Sequence, residues 1–408
     1  MRSSIISAAA LLATCTSAAP VVERTADAQA NFPGILASYS AGFKNPTIQS
    51  SAGGQAICIS GFVDITASAN NFLLNTEIPA NQSAVTQLVT ELMQVNSTKS
   101  KSLNGGPNHV SGTYSIYSQL CFPQAAGTID ATTLQFLIHG SGLDRSYWNA
   151  APGYSYVDYA AEQGYTTFLY DRLGTGLSDH PDPVQVVQLN LQVVIAHELI
   201  QLLRTGGFAN QTFKRVVGVG HSYGSAQTAS ITAQYPKDFD AIVLTGWSAD
   251  NSGMPVAFAG LDLAIANQVA PRRLAALNNG YLTSAGIEGT QFFFFREPQF
   301  DPLLLDLAEA TKQTLSLGEL LTNIPPKVST NFTGPIIVVN GENDLPNCAG
   351  NCLVPYNKPA AVKAAFYPNA SNGSSWYLAP STGHGLTFHY TADAAYAHIH
   401  DFLKKNGF

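Results

Sequence analysis

The segment Gly220-His221-Ser222-Tyr223-Gly224 constrains the fold of this chain more than any other. It lies between an apolar, strand-like run, Arg215-Val216-Val217-Gly218-Val219, and a helix-like stretch from Ser225 to Tyr235. A serine with a glycine two positions away on each side, at a strand-to-helix junction, marks a sharp turn that carries an exposed nucleophile. The turn is so tight that a Cβ at Gly220 or Gly224 would crowd the neighbouring strand or helix. In return the serine hydroxyl is pushed out at the carboxyl end of a sheet, with a helix N-terminus beneath it. The pattern is short and arises by chance elsewhere; its strand-turn-helix setting is what gives it weight.

The rest of the chain supplies a sheet for that turn. From Leu134 onward short apolar runs alternate with amphipathic stretches, the rhythm of βαβ units and a mostly parallel sheet. The strand-like runs are Leu134–Ile138, Thr166–Tyr170, Arg215–Gly220, Ala241–Thr245, Pro335–Asn340 and Ser375–Ala379. Their hydrophobicity is continuous rather than alternating, as a sheet covered on both faces requires. Helices are expected over Val186–Arg204, Ser225–Tyr235, Pro359–Phe366 and Thr391–Lys405, the last ending in Lys404-Lys405, where cations suit the helix dipole. Two regions break the rhythm. Before Leu134, strand-like runs near Ile57–Ile65 and Tyr114–Phe122 flank a helix-like piece, Ala84–Met93, and read as opening antiparallel strands of the same sheet. Between two core strands, residues 251–334 read as helical pieces such as Leu261–Val269 and Leu303–Thr314, the place for an inserted cap or lid.

Composition narrows the setting. The chain has 408 residues, of which 12% are charged, against roughly 25% in a typical soluble protein, so its surface must lean on Ser, Thr, Asn and Gln. A net charge of −7 and the absence of a basic stripe argue against a nucleic-acid partner. Residues 1–19 read as a secretory signal: Arg2, an apolar stretch from Ile5 to Ala13, then small residues up to Ala18 and Ala19. That stretch is too short to span a bilayer, and no later run of 18 apolar residues exists, so a soluble exported protein without stable membrane insertion is expected. Residues 20–408 are expected to form one domain. Its four cysteines, Cys58, Cys121, Cys348 and Cys352, suggest two disulfides in an exported chain. Of three possible pairings, Cys58–Cys121 with Cys348–Cys352 is favoured, because the first would join two strand-like runs and the second would close a tight loop; free thiols are the alternative, and no spacing suits zinc or another metal. Sequons begin at Asn81, Asn96, Asn210, Asn331, Asn369 and Asn372, where chance alone gives about four; the signal makes glycosylation of several an expectation.

Further motifs fall at strand ends. His139-Gly140-Ser141-Gly142 follows the first parallel run and would aim a backbone N–H at the serine. Asp171-Arg172-Leu173-Gly174-Thr175-Gly176-Leu177-Ser178 follows the second. Gly341-Glu342-Asn343-Asp344 and Thr382-Gly383-His384-Gly385 follow the last two. With these motifs in this order the chain resembles the α/β-hydrolase superfamily, and specifically its exported, lid-bearing, esterase- and lipase-like serine hydrolases, from about Ile57 to the C-terminus. The resemblance implies an α/β fold: a mostly parallel central sheet, helices on both faces, and an inserted helical cap. It also implies that Ser222 attacks a carbonyl carbon, His384 serves as general base, Asp344 orients His384, and the N–H groups of Tyr223 and Ser141 form the oxyanion hole. No cofactor is implied. The Asp171…Ser178 segment looks like the family's D-R-x-G-x-G-x-S loop, which is structural support.

Rival readings attach to the neighbours of these residues. His389, His398 and His400 lie in or beside the last helix and read as surface or packing histidines; His139 reads as a loop anchor. Asp250 holds a position some family members use for the acid, and Glu342 would face away. Phe292–Phe295 would either line an acyl pocket or fill the core of the cap. The leading functional expectation is a secreted hydrolase of a carboxylic ester or lactone, its small-molecule substrate apolar or aromatic because the insertion is rich in Phe, Leu and Ala. A proline-aminopeptidase-like exopeptidase is the alternative, and would need cap carboxylates such as Asp262, Glu288, Glu297 or Asp301 for the substrate amine. A tailoring hydrolase of secondary metabolism would use the same residues, whereas a catalytically silent binding protein would usually have lost one of the three.

Overall fold

The continuous apolar runs become the parallel half of a nine-stranded sheet. The computed structural model describes residues 32–322 and 326–408; the expected signal, residues 1–19, lies outside them. The strands are β1 (Lys44–Ser50), β2 (Ala56–Leu74), β3 (Asn104–Pro123), β4 (Thr133–Ile138), β5 (Thr166–Tyr170), β6 (Arg215–His221), β7 (Ala241–Thr245), β8 (Leu263–Ile265), β9 (Tyr281–Ser284), β10 (Leu315–Ser316), β11 (Ile336–Gly341) and β12 (Ser375–Ala379). In the large sheet the order is β1-β2-β3-β5-β4-β6-β7-β11-β12. Strands β5, β4, β6, β7, β11 and β12 pair parallel. The β1–β2, β2–β3 and β3–β5 pairs are antiparallel.

Alternate side chains of the parallel strands feed two apolar layers. Phe136, Ile138 and Phe168 pack with Leu191, Ile195, Leu199, Ala226 and Ile231 from helices Leu189–Thr205 and Tyr223–Gln234. On the opposite face Leu137, Leu169, Val219 and Val243 pack with Tyr156, Ala160, Ala395 and Ile399 from helices Tyr156–Glu162 and Ala392–Lys405. All residues of β4, β5, β7 and β11 are therefore buried, each large apolar side chain contributing roughly 1.5–3 kcal/mol. The edge strand β12 buries only Ala379.

The N-terminal strands run further than the apolar runs that announced them. Beyond Phe62, β2 alternates buried Val63, Ile65, Ala67 and Ala69 with exposed Asp64, Thr66, Ser68 and Asn70. Period two, not hydrophobicity, marks this half as strand, and it forms a long ribbon with β3. Strand β1, on the sheet edge, has no apolar run at all.

Residues 251–334, between β7 and β11, contain helices Met254–Leu261, Ile287–Phe294, Pro302–Thr311 and Leu317–Thr322 among others. They also contain a three-stranded antiparallel sheet, β10-β9-β8, which the purely helical expectation lacks. The expected helix Leu261–Val269 is broken by β8, because Asp262 turns into the left-handed region (φ 52°). Strands of two to four residues carry no periodic signal, and only their mutual pairing forms them.

Both disulfides pair as expected. Cys58 and Cys121 face each other directly across β2 and β3, with Cα atoms 4.0 Å apart. Cys348 and Cys352 close a loop with a sequence separation of 4. All six sequon asparagines are exposed. Among the described residues no helix is long and apolar enough to cross a membrane.

Loop length sets what each bridge removes from the unfolded chain. Replacing Cys58 and Cys121 by Ala, which opens a separation of 63 residues, should cost about 4 kcal/mol; replacing Cys348 and Cys352 should cost about 2 kcal/mol. Urea unfolding of the two double variants against the parent checks both size and order.

Candidate active site

Ser222 sits between β6 and the helix Tyr223–Gln234 with φ 56° and ψ −119°, a conformation rare for a non-glycine residue. Two glycines make the turn possible. A Cβ on Gly220 would stand 2.5 Å from the Gly224 carbonyl oxygen, and one on Gly224 would stand 2.1 Å from that of Ile138. The Ser222 N–H donates to the Thr245 carbonyl on β7 at 2.9 Å, and the Ser222 carbonyl accepts from Ala226 N–H, so the turn is tied to both its neighbours.

Three loops converge on this serine. Ser222 Oγ lies 2.8 Å from His384 Nε2, and His384 Nδ1 lies 2.8 Å from Asp344 Oδ2. With the imidazole neutral and its proton on Nδ1, the hydroxyl donates to Nε2 and Nδ1–H donates to the carboxylate. All three residues are buried, Ser222 keeping 8% exposure. Asp344 caps the short helix Leu345–Cys348: its Oδ1 accepts from Asn347 N–H at 2.9 Å, leaving Oδ2 to His384. The Cys348–Cys352 bridge and a hydrogen bond from Cys352 N–H to the Glu342 carbonyl at 3.0 Å brace the same loop. Phe293 and Phe294, from residues 251–334, pack on the His384 ring at 5.3 and 5.9 Å.

Ser141 and Tyr223 border the same small cavity as Ser222, about 40 Å³, with Ala226, Trp247, Met254, Phe258, Phe293 and Asn347. A second pocket of about 20 Å³ continues past Ser141 and Phe293 between Leu143, Leu261, Leu263, Phe294 and Leu315. On the other side of Ala226, Trp247, Met254, Phe258 and Asn347 opens a cleft of about 480 Å³. Leu92, Met93, Leu320, Leu321 and Phe366 add to its apolar walls, Ser100, Ser248, Asn251 and Ser252 supply hydroxyl and amide groups, and among the described residues none that lines it is charged. A larger groove, about 580 Å³, lies elsewhere, between β2 and the helix Leu189–Thr205, and touches none of the three loops.

The rival residues are engaged elsewhere. Asp250 pairs with Lys358 Nζ at 2.9 Å and accepts from Ser252 N–H, while His384 Nδ1 already has Asp344. Glu342 accepts from Ser381 N–H at 3.1 Å and makes no hydrogen bond to His384. His139 anchors its loop: Nδ1–H donates to the Gly140 carbonyl at 2.9 Å and Nε2 accepts from Arg172 N–H at 3.1 Å. His398 is exposed and stacks on Tyr377, and His400 is packed beside Gln135. His389 is buried and does more than pack, since its Nε2 accepts from Gly383 N–H at 3.1 Å and holds the loop of His384. No sequence spacing marks that role. The run Phe292–Phe295 divides: Phe293 and Phe294 line the cavities, Phe295 packs on Phe300 and Phe388, and Phe292 is half exposed. The cleft residues Trp247, Met254 and Phe258 belong to no motif that would mark them in the sequence.

A model of the alpha/beta hydrolase family matches residues 136–399. No curated protein matches the chain. Among solved structures, the chain is similar to a thermophilic esterase from Thermogutta terrifontis, with a TM-score of 0.50 and 16% identity over 73% of this chain and 96% of that one. It is also similar to the enol-lactonase from Burkholderia xenovorans, with a TM-score of 0.48 and 14% identity over 71% and 97%. At that identity the likeness to the esterase speaks to the fold alone.

Burial holds four histidines around the site and behind it in the neutral form. His139 and His221 are pushed well below the ordinary imidazole value of 6.5, and His389 and His400 down to about 4. The unfolded chain takes up these protons near pH 6.5 and the folded chain only at lower pH, near 4 for His389 and His400, so their contribution is intact above 6.5 and is lost as the pH falls towards the folded values. His400→Gln should therefore shrink the loss of stability between pH 6.5 and 4 by up to about 3 kcal/mol. Denaturant unfolding of parent and variant at both pH values measures that difference.

Proposed function

Because this chain belongs to the alpha/beta hydrolase family, we propose that it is a serine hydrolase that cleaves a carboxylic ester or lactone through an acyl-enzyme on Ser222. The observation that carries the reading is the continuous hydrogen-bonded line from Ser222 Oγ through His384 to Asp344, at 2.8 Å in both links. In this reading His384 Nε2 takes the serine proton as Oγ bonds to the substrate carbonyl carbon, and Asp344 stabilises the imidazolium. The N–H groups of Ser141 and Tyr223 face the oxygen that gains charge, each such donor being worth on the order of 3 kcal/mol in the transition state. Collapse expels the alkoxide, which leaves with the proton from His384. Water, deprotonated by His384, then attacks the acyl carbon and releases the acid and Ser222. A lactone follows the same steps with its alcohol still tethered.

The substrate class follows from what surrounds the serine. A 40 Å³ cavity holds little more than water, so the bulk of a substrate belongs in the adjoining 480 Å³ cleft, past the flexible Met254 side chain. Its aromatic and aliphatic walls, interrupted by uncharged Ser100, Ser248, Asn251, Ser252 and Asn347, suit a neutral group with an apolar or aromatic part. Among the described residues no carboxylate lines these three spaces. Asp262, Glu288 and Glu297 are exposed, and Asp301 caps the helix Pro302–Thr311. An exopeptidase would lack a partner there for the substrate's ammonium. We further propose that the chain is exported and glycosylated, which its paired disulfides and exposed sequons support.

On a panel of p-nitrophenyl esters run beside proline β-naphthylamide, ester turnover with an optimum in acyl length is the expected result, and amide turnover alone would make the enzyme a peptidase. Ser222→Ala should lower kcat by several orders of magnitude with unchanged circular dichroism. Asp344→Asn should be severely slowed; near-normal activity would transfer the acid role to Asp250. Ser252→Trp, at an exposed rim of the cleft, should raise KM several-fold for a naphthyl ester and leave the ethyl ester unchanged.

A further inference from the structure

The residue least explained by the catalytic line is Arg172, whose guanidinium is completely buried. Its Nε donates to the His139 carbonyl and its Nη2 to the Gly140 carbonyl, both at 3.1 Å. Nη1 donates to Gln192 Oε1 at 2.9 Å and to Glu319 Oε1. The guanidinium also lies over the Tyr223 ring, 4.8 Å from its centroid. One cation therefore touches the two carbonyls that precede Ser141 and the side chain of Tyr223, the residues whose N–H groups face the proposed oxyanion.

Peptide planarity turns those contacts into orientation. In a trans peptide the C=O and N–H point in opposite directions. Holding the Gly140 oxygen on Arg172 turns the Ser141 N–H to the other side, where Ser141 borders the Ser222 cavity. The loop has little slack, because a Cβ on Gly140 would stand 3.0 Å from Ser222 Cβ.

A buried guanidinium needs a counter-charge. Asp171, its neighbour in the chain, is not the source, because both its oxygens accept from Arg145. The carboxylate comes from Glu319, in the helix Leu317–Thr322 of the segment inserted between β7 and β11. Glu319 is itself 1% exposed and fully bonded: Oε1 accepts from Gln192 Nε2 at 2.8 Å, and Oε2 accepts from Ser316 N–H at 2.9 Å while Ser316 Oγ accepts from Glu319 N–H. The strand leading to it is laced over the same loops, with Gln313 N–H donating to the Gly142 carbonyl and Thr314 Oγ1 to that of Gly174.

We propose that Glu319 is a positioning residue for the oxyanion hole: through Arg172 it fixes the peptide that carries the Ser141 N–H, so the inserted segment completes the catalytic machinery as well as covering it. This rests on the serine-hydrolase reading. A positioning role acts on the transition state, so it moves kcat and spares KM.

The test separates positioning from mere stability. Glu319→Gln leaves a buried, unpaired cation and should lose both stability and activity. Arg172→Met/Glu319→Leu removes both charges, and its Tm should return towards the parent. Its kcat for p-nitrophenyl butyrate should stay down by about 10- to 100-fold with KM within twofold, and its affinity for butylboronic acid, which mimics the tetrahedral oxyanion, should fall in parallel. Should that double variant fail to fold, Glu319→Asp, which keeps the charge, decides: a kcat loss with unchanged KM supports the proposal. A double variant or an Asp variant with parental kcat overturns it, as does a rise in KM at constant kcat. Failure of the parent itself to cleave the ester or to take a fluorophosphonate label on Ser222 would instead refute the underlying reading, and this proposal with it.

Discussion

Holding Ser222 at φ 56° costs on the order of 1–3 kcal/mol, and the centre of the sheet is built to supply it. The register that sets His221 opposite Thr245 brings β7 against the turn. There Thr245 accepts from Ser222 N–H and from Ser225 Oγ through its carbonyl, while its own hydroxyl donates to the Gly220 carbonyl at 2.9 Å. Two apolar layers keep water from competing for these bonds. The strain is thus a property of the β6–β7 pair and not of the turn alone. Because parallel strands end together, the loops after β4, β11 and β12 arrive at the same edge with Gly140, Asp344 and His384.

A strip of polar groups runs beneath that edge in otherwise apolar surroundings. His139, Arg172, Gln192, Gln227 and Glu319 are all buried, and each has partners within the strip. Isolated, any of them would be costly; together they are rigid, because each has little alternative to the bond it makes. The segment 251–334 contributes to this strip through Glu319, and to the ring packing on His384 through Phe293 and Phe294. It is therefore continuous with the site.

Much of this was legible beforehand where one local rule dominated. The turn at Ser222 demanded glycines on steric grounds, and the parallel strands needed continuous apolar runs. Bounds there differ by a residue or two, as with Arg215–His221. Reading failed where the signal was weak or non-local. The outer half of β2 is strand through alternation, with Thr, Ser and Asn on its open face, and the short strands β8 to β10 exist only because they meet one another. His389 looked like one of several helix histidines until the fold placed its Nε2 beneath Gly383 N–H.

The sequence by itself determined the core parallel strands and their flanking helices, the order of the motifs and which residue types would stand at strand ends, because turn sterics and burial patterns act over a few residues. It also favoured the Cys58–Cys121 and Cys348–Cys352 pairings that the fold contains. Only the tertiary structure decided which distant groups meet outside those motifs: Glu319 against Arg172 across 147 positions, His389 beneath Gly383 N–H, and Trp247, Met254 and Phe258 around one cleft. Those choices depend on strand register and on how residues 251–334 fold back over the sheet. A hydrogen bond or ion pair in a dry interior is set by such three-dimensional placement, and nothing in the local composition around either partner records it.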